Sequence, residues 1–140
     1  MKHGFVLLVI VLLAGMSGGA GASFGESYTF ITAEELNERL ITGFPMILID
    51  VCPADQFAKG HIKGAIETDA YPVRTEAEKS RLAKQLTPIR ESAEDVVVIC
   101  PRGGGARDTV DYFRAQGVPS ERLLILINGM EKWPYGREKK

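Results

Sequence analysis

The chain has 140 residues, 45% apolar and 25% charged, with a formal net charge of −1 at pH 7. That balance excludes a disordered or collagen-like chain, and near-neutrality argues against a nucleic-acid binder, which would show a basic face. With only two cysteines, Cys52 and Cys100, it is no disulfide-dense scaffold.

Residues 1–22 read as a signal peptide. Lys2 supplies a small positive start, Phe5 to Leu13 is an unbroken apolar run, and Ala20-Gly21-Ala22 fits a small-x-small cleavage site before Ser23. A periplasmic or secreted protein is expected, touching a membrane only through this export signal. The apolar run falls short of the roughly 20 residues of a comfortable span, so an N-terminal membrane anchor is the alternative. Leu13-Ala14-Gly15-Met16 has methionine where a lipidated cysteine would stand. Loss of Lys2 takes the formal charge from −1 to −2, and residues 23–140 have the length of one domain with one core.

Tyr28 to Phe30 is a short candidate strand. Thr32-Ala33-Glu34-Glu35 matches a capping box, opening a helix whose Leu36, Leu40 and Ile41 share a face and which Gly43 ends. Met46 to Val51, apolar except for Asp50, predicts a strand buried on both faces. Pro53 to Lys59 predicts a short helix with Pro53 at its first position. Gly60 to Ala65 is a turn into a strand around Ile66. Thr75 to Arg90 is amphipathic through Leu82 and Leu86, with Pro88 ending or kinking it. Val96 to Cys100 and Leu123 to Ile127 are the last two strands. Between them Ala106 to Gln116 reads as a helix with Tyr112 and Phe113 among its apolar positions and Gly117 as its stop. Asn128 to Trp133 makes a turn or short helix, and Gly136 to Lys140 a charged tail. Strands alternating with helices predict one α/β domain, a mostly parallel five-stranded sheet with helices on both faces. Its ligand site should lie at the carboxyl ends of the strands.

Cys100 stands at such an end. It opens the loop Cys100-Pro101-Arg102-Gly103-Gly104-Gly105, which runs directly into a helix. Strand, tight loop and helix start turn successive N–H groups toward one point, where they stabilise a thiolate. Cys52 ends a second strand, expected to neighbour the first, so its Cα falls within the roughly 4.4–6.8 Å of a disulfide. Two readings stay open for it: a partner in a disulfide, or a bystander. No cysteine–histidine spacing resembles a metal site.

Three segments together resemble the rhodanese-like domain family. Ile49-Asp50-Val51, Phe57, Gly60-His61-Ile62 and Gly64-Ala65 are similar to the family's first signature. Cys100 to Gly105 resembles its six-residue active-site loop, and Leu126 to Trp133-Pro134, with Gly129, its closing motif. The resemblance implies a sulfurtransferase without cofactor or metal, in which Cys100 takes sulfur from a donor such as thiosulfate as a persulfide. Pro101, Arg102, Gly103, Gly104 and Gly105 would bind the small sulfur-containing anion or persulfide donor. The N–H groups come from Arg102 to Gly105, since Pro101 has none, and a guanidinium at Arg102 suits an oxyanion. A thiol or a partner protein would accept the sulfur. The alternatives are a thiol redox module, with Cys52 as resolving thiol, and a persulfide carrier.

The departures concern substrate preference. Cys52 and Gln56 stand where the signature has an arginine and an acid, removing an internal ion pair. Gly105 and Ala106 replace a basic or hydroxyl residue, and Arg107 is expected along the helix flank. The related phosphatases end a longer loop on an arginine; here that position is Ala106, which argues against phosphatase activity. His61 is read as a fold residue, Asp50 as an acceptor of backbone hydrogen bonds, and Trp133 as a core plug.

Overall fold

Among the described residues five short, mostly apolar segments form strands: β1 (Thr29–Ile31), β2 (Met46–Asp50), β3 (Ile66–Glu67), β4 (Asp95–Ile99) and β5 (Leu123–Leu126). The computed structural model describes residues 27–140, and the expected leader, residues 1–22, lies outside them. The strands pair in parallel in the order β1-β5-β4-β2-β3. The α-helices among the described residues are α1 (Ala33–Thr42), α2 (Ala54–Lys59), α3 (Glu76–Ala83), α4 (Leu86–Glu91) and α5 (Gly105–Ala115). The domain is α/β, as expected.

Alternation along the central strands splits the core in two. Ile49, Val51, Val96, Val98, Cys100 and Ile125 pack with Leu82, Ile89, Val110 and Phe113 of α3, α4 and α5. On the other face Leu48, Cys52, Val97, Ile99 and Leu126 pack with Leu36 of α1 and with Trp133. The register sets Asp50 beside Ile99 and Val98 beside Ile125, so the segments leaving β2, β4 and β5 emerge at one end of the sheet.

Local signals explain most element ends. Thr32 accepts the Glu35 N–H at 3.0 Å, and Gly43, at φ +69°, closes α1. The capping box is only half made, because the Glu35 carboxylate turns to Arg39, which also holds Asp95 at 2.8 Å. Ile41 does not join Leu36 in the core; it is 78% exposed. It lies about 100° around the helix from Leu40, past the sheet-facing stripe. Pro53 is the residue before α2 rather than its first member, with extended φ/ψ.

The single helix expected over Thr75–Arg90 is two. In a continuous helix the Pro88 ring would strike the carbonyl of Lys84, four residues back. The chain breaks at Lys84–Gln85, which puts Pro88 in the first turn of α4, where its missing N–H leaves no bond unmade. The charged tail is not free. His61 and Glu138 exchange backbone hydrogen bonds of 2.9 and 2.8 Å, and Lys140 pairs with Glu67 at 2.6 Å.

Candidate active site

Cys100 is the first residue beyond β4, and its side chain is fully buried under the loop that follows. The Gly103 N–H donates to Cys100 Sγ at 2.8 Å. Gly103 reaches that position with φ +100°, a backbone shape that side chains resist. Helix α5 begins two residues later at Gly105, with no capping side chain on its first N–H groups. The sulfur therefore lies beside one placed N–H donor and near the positive end of a helix.

The loop is held from behind by the turn after β5. Met130 N–H donates to the Cys100 carbonyl and Glu131 N–H to the Pro101 carbonyl, both at 2.9 Å. Gly129 makes this approach possible. It sits at φ +59°, ψ −156°, and a Cβ there would lie 2.1 Å from the Cys100 oxygen. In front, the Tyr71 ring rests against Gly105, where a Cβ would come within 2.7 Å of it. The Tyr71 N–H is fixed to the Val51 carbonyl at 2.9 Å, tying this roof to the end of β2.

The other expected site residues are placed as follows. Pro101 and Arg102 form the rim; the Arg102 side chain is 81% exposed and reaches Glu131 at 3.8 Å. Two clefts flank this rim. One, of about 320 Å³, is lined by Cys52, Lys59, Arg102, Glu131 and Arg137 among others. The second, of about 340 Å³, is lined by Phe30, Gly103, Gly104, Arg107 and Asn128 among others. Arg107 lies along the helix flank with its guanidinium over the Tyr28 ring, 5.4 Å from the centroid. Ala106 is buried inside α5. His61 is away from the thiol, stacked on Phe57 at 3.9 Å with Nδ1 2.9 Å from the Phe57 carbonyl. Trp133 is a core residue whose indole N–H donates to the Gly136 carbonyl.

Cys52 and Cys100 are both free thiols. The register aligns Val51 with Cys100, which sends the Cys52 side chain into the opposite layer. Burial first, and then the Asp50 carboxylate beside it, push the Cys52 thiol far above the ordinary range. It is a poor source of thiolate at neutral pH.

Asp50 carries a buried carboxylate oxygen left unsatisfied at the end of β2. Its Oδ1 accepts the Cys52 N–H at 2.9 Å, while Oδ2 is buried with no hydrogen-bond partner. Burial raises this carboxyl above its ordinary value, with contacts to Cys52 offsetting part of the shift. Such a group stabilises the fold fully below its unfolded pKa and loses that contribution as pH rises through its folded value. Asp50→Asn is therefore expected to gain on the wild type as pH rises from about 4 toward neutrality. Urea midpoints across that range check this; an advantage that shrinks with rising pH would contradict it.

Sequence reasoning missed Tyr71 and the tail residue Arg137. Neither belongs to a periodic element, so no hydrophobic pattern marks them.

Comparison with known proteins bears on this geometry. The sequence profile of the Rhodanese-like domain matches residues 32–134. Among solved structures, a Rhodanese-like Domain Protein from Staphylococcus aureus is 23% identical with a TM-score of 0.63, covering 80% of this chain and 98% of that one. A Thiosulfate sulfurtransferase from Pseudomonas aeruginosa is 22% identical with a TM-score of 0.61, covering 81% of this chain and 20% of that one. An As-Sb reductase from Leishmania major is 26% identical with a TM-score of 0.56, covering 76% and 77%. No curated protein sequence matches. The profile spans most of the chain, from the cap of α1 through the cysteine loop to the turn that backs it, and on that ground the chain belongs to the rhodanese-like domain family.

Proposed function

We propose that this protein is an exported single-domain sulfurtransferase that carries sulfane sulfur on Cys100. The observation that carries the reading is the Gly103 N–H held 2.8 Å from Cys100 Sγ at the uncapped start of α5. Preorganised donors of this kind stabilise the charge that develops on sulfur during transfer.

The Cys100 thiolate attacks the outer sulfur of thiosulfate. The new S–S bond forms as the sulfur–sulfur bond of the donor breaks, sulfite leaves with the electron pair, and Cys100 becomes a persulfide anion. Its terminal sulfur takes N–H donors from Arg102, Gly103, Gly104 and Gly105. An acceptor thiolate then attacks that sulfur, leaving as a persulfide and restoring the Cys100 thiolate. Arg102 on the rim attracts the anionic donor. Export rests on Lys2, the Phe5–Leu13 run and Ala20-Gly21-Ala22, and a chain beginning at Ser23 would bear it out.

Rapid mixing with thiosulfate, without acceptor, tests the reading. One equivalent of sulfite per chain is expected. Absence of sulfite release would overturn it. The redox reading, with Cys52 resolving Cys100, loses ground because the two thiols occupy opposite layers.

A further inference from the structure

Residues 135–140 follow the stretch matched by the family profile, yet they complete one wall of the cleft beside the loop. Arg137 is the residue that does so. Its Nη2 donates to the Met130 carbonyl at 2.6 Å and the Trp133 carbonyl at 3.1 Å. Its stem lies on Gly60, where a Cβ would sit 3.0 Å from Arg137 Cδ. The neighbouring Glu138 is stitched to His61, so backbone and guanidinium are both anchored.

The charge of this cleft is one-sided. Lys59, Arg102 and Arg137 face a single carboxylate, Glu131. Lys59 has Asp55 at 4.0 Å and Arg102 has Glu131 at 3.8 Å, both exposed pairs of little strength. Arg137 bonds only to backbone carbonyls, and among the described residues no carboxylate pairs with it. A pinned guanidinium without a counter-charge, in a cleft of about 320 Å³, suits a small anion-bearing molecule. Pro101 and Arg102 belong both to the cleft wall and to the nucleophile loop.

We propose that this cleft binds the carboxylate of a small acidic thiol, the sulfur acceptor, with Arg137 as the residue that selects it. The inference rests on the persulfide reading above. A compact donor such as thiosulfate is served by the loop amides and the Arg102 rim. The cleft shares Pro101 and Arg102 with the nucleophile loop, so a ligand held at Arg137 would have to run along Pro101 toward the loop. A thiol separated from a carboxylate by a short chain does this. Its thiolate attacks the outer persulfide sulfur, the S–S bond to Cys100 breaks, and the Cys100 thiolate is regenerated as the acceptor leaves with the sulfur.

The test compares kcat/KM for 3-mercaptopropionate and for 3-mercaptopropanamide, with thiosulfate as donor. The ratio of acid to amide is measured in the wild type, Arg137→Met and Arg137→Lys. Arg137→Met is expected to lower the ratio about tenfold, Arg137→Lys to recover part of it, and added salt to erode the wild-type preference. A loosened loop would slow both thiols equally and leave the ratio alone. An unchanged ratio in Arg137→Met overturns the proposal. If that variant does not fold, a wild-type acid-to-amide ratio near one, or one unmoved by added salt, does so. Absence of sulfite release by the wild type would instead overturn the sulfurtransferase reading beneath it.

Discussion

Replacing Gly129 with alanine is expected to cost about 3 kcal/mol or more of stability and to slow sulfur transfer by more than about tenfold. Two effects add. The backbone conformation at φ +59°, ψ −156° is one that glycine alone adopts without strain. The new Cβ would also lie 2.1 Å from the Cys100 oxygen and 2.9 Å from the Arg102 nitrogen. Both are backbone atoms of the nucleophile loop, so no side chain can turn aside. Relief requires the turn and the loop to part, which breaks the hydrogen bonds from Met130 and Glu131 and releases the floor under Cys100. Gly105 provides the contrast. A methyl group there clashes with the Tyr71 ring, on a residue 41% exposed that can swing outward, and otherwise touches Cys100 Cβ at an ordinary 4.0 Å. Urea unfolding and steady-state transfer for the Gly129→Ala variant check the account; wild-type values in both would contradict it.

The second large effect is on the two cysteines. Cys100→Ser is expected to reduce turnover by on the order of a thousandfold or more, since a hydroxyl neither ionises at neutral pH nor holds sulfane sulfur. Cys52→Ser is expected to retain most of the activity. Cys52 lies in the other core layer, and its thiol is held protonated by burial and by Asp50. Steady-state rates with thiosulfate and a neutral thiol acceptor compare the two variants. Complete loss in Cys52→Ser would mean that it takes part in the transfer, and the one-cysteine mechanism would fail.

Much of this architecture was legible in the sequence because the determinants are local. Val96 to Ile99 is apolar at every position, which marks a strand buried on both faces. Thr32 and Gly43 bracket α1 through bonds and dihedrals that those residue types favour. The cysteine loop was visible as a strand running into glycines ahead of a helix. What escaped depends on tertiary contact. Ile41 satisfies the helical spacing but sits beyond the reach of the sheet. The break before Pro88 was placed too late, because a proline disrupts the turn preceding it.

The tail shows the limit most clearly. Gly136 to Lys140 has the composition of a solvated end, and its docking depends on backbone groups of His61 and Ala58. Those partners are far away in sequence and carry no compositional mark. The contribution of Arg137 to the cleft follows from that docking. Likewise, the orphaned Oδ2 of Asp50 is predictable only in part. An aspartate ending a buried strand announces a need for donors, but only the fold shows that Oδ1 finds one and Oδ2 does not.

The most direct test of sulfur carriage on Cys100 is the intact mass of the reduced protein after anaerobic exposure to thiosulfate, beside a Cys100→Ser control. The mechanism predicts a gain of one sulfur atom in the wild type and none in the control. A wild-type chain that gains no sulfur, or loses two hydrogens instead, would contradict it.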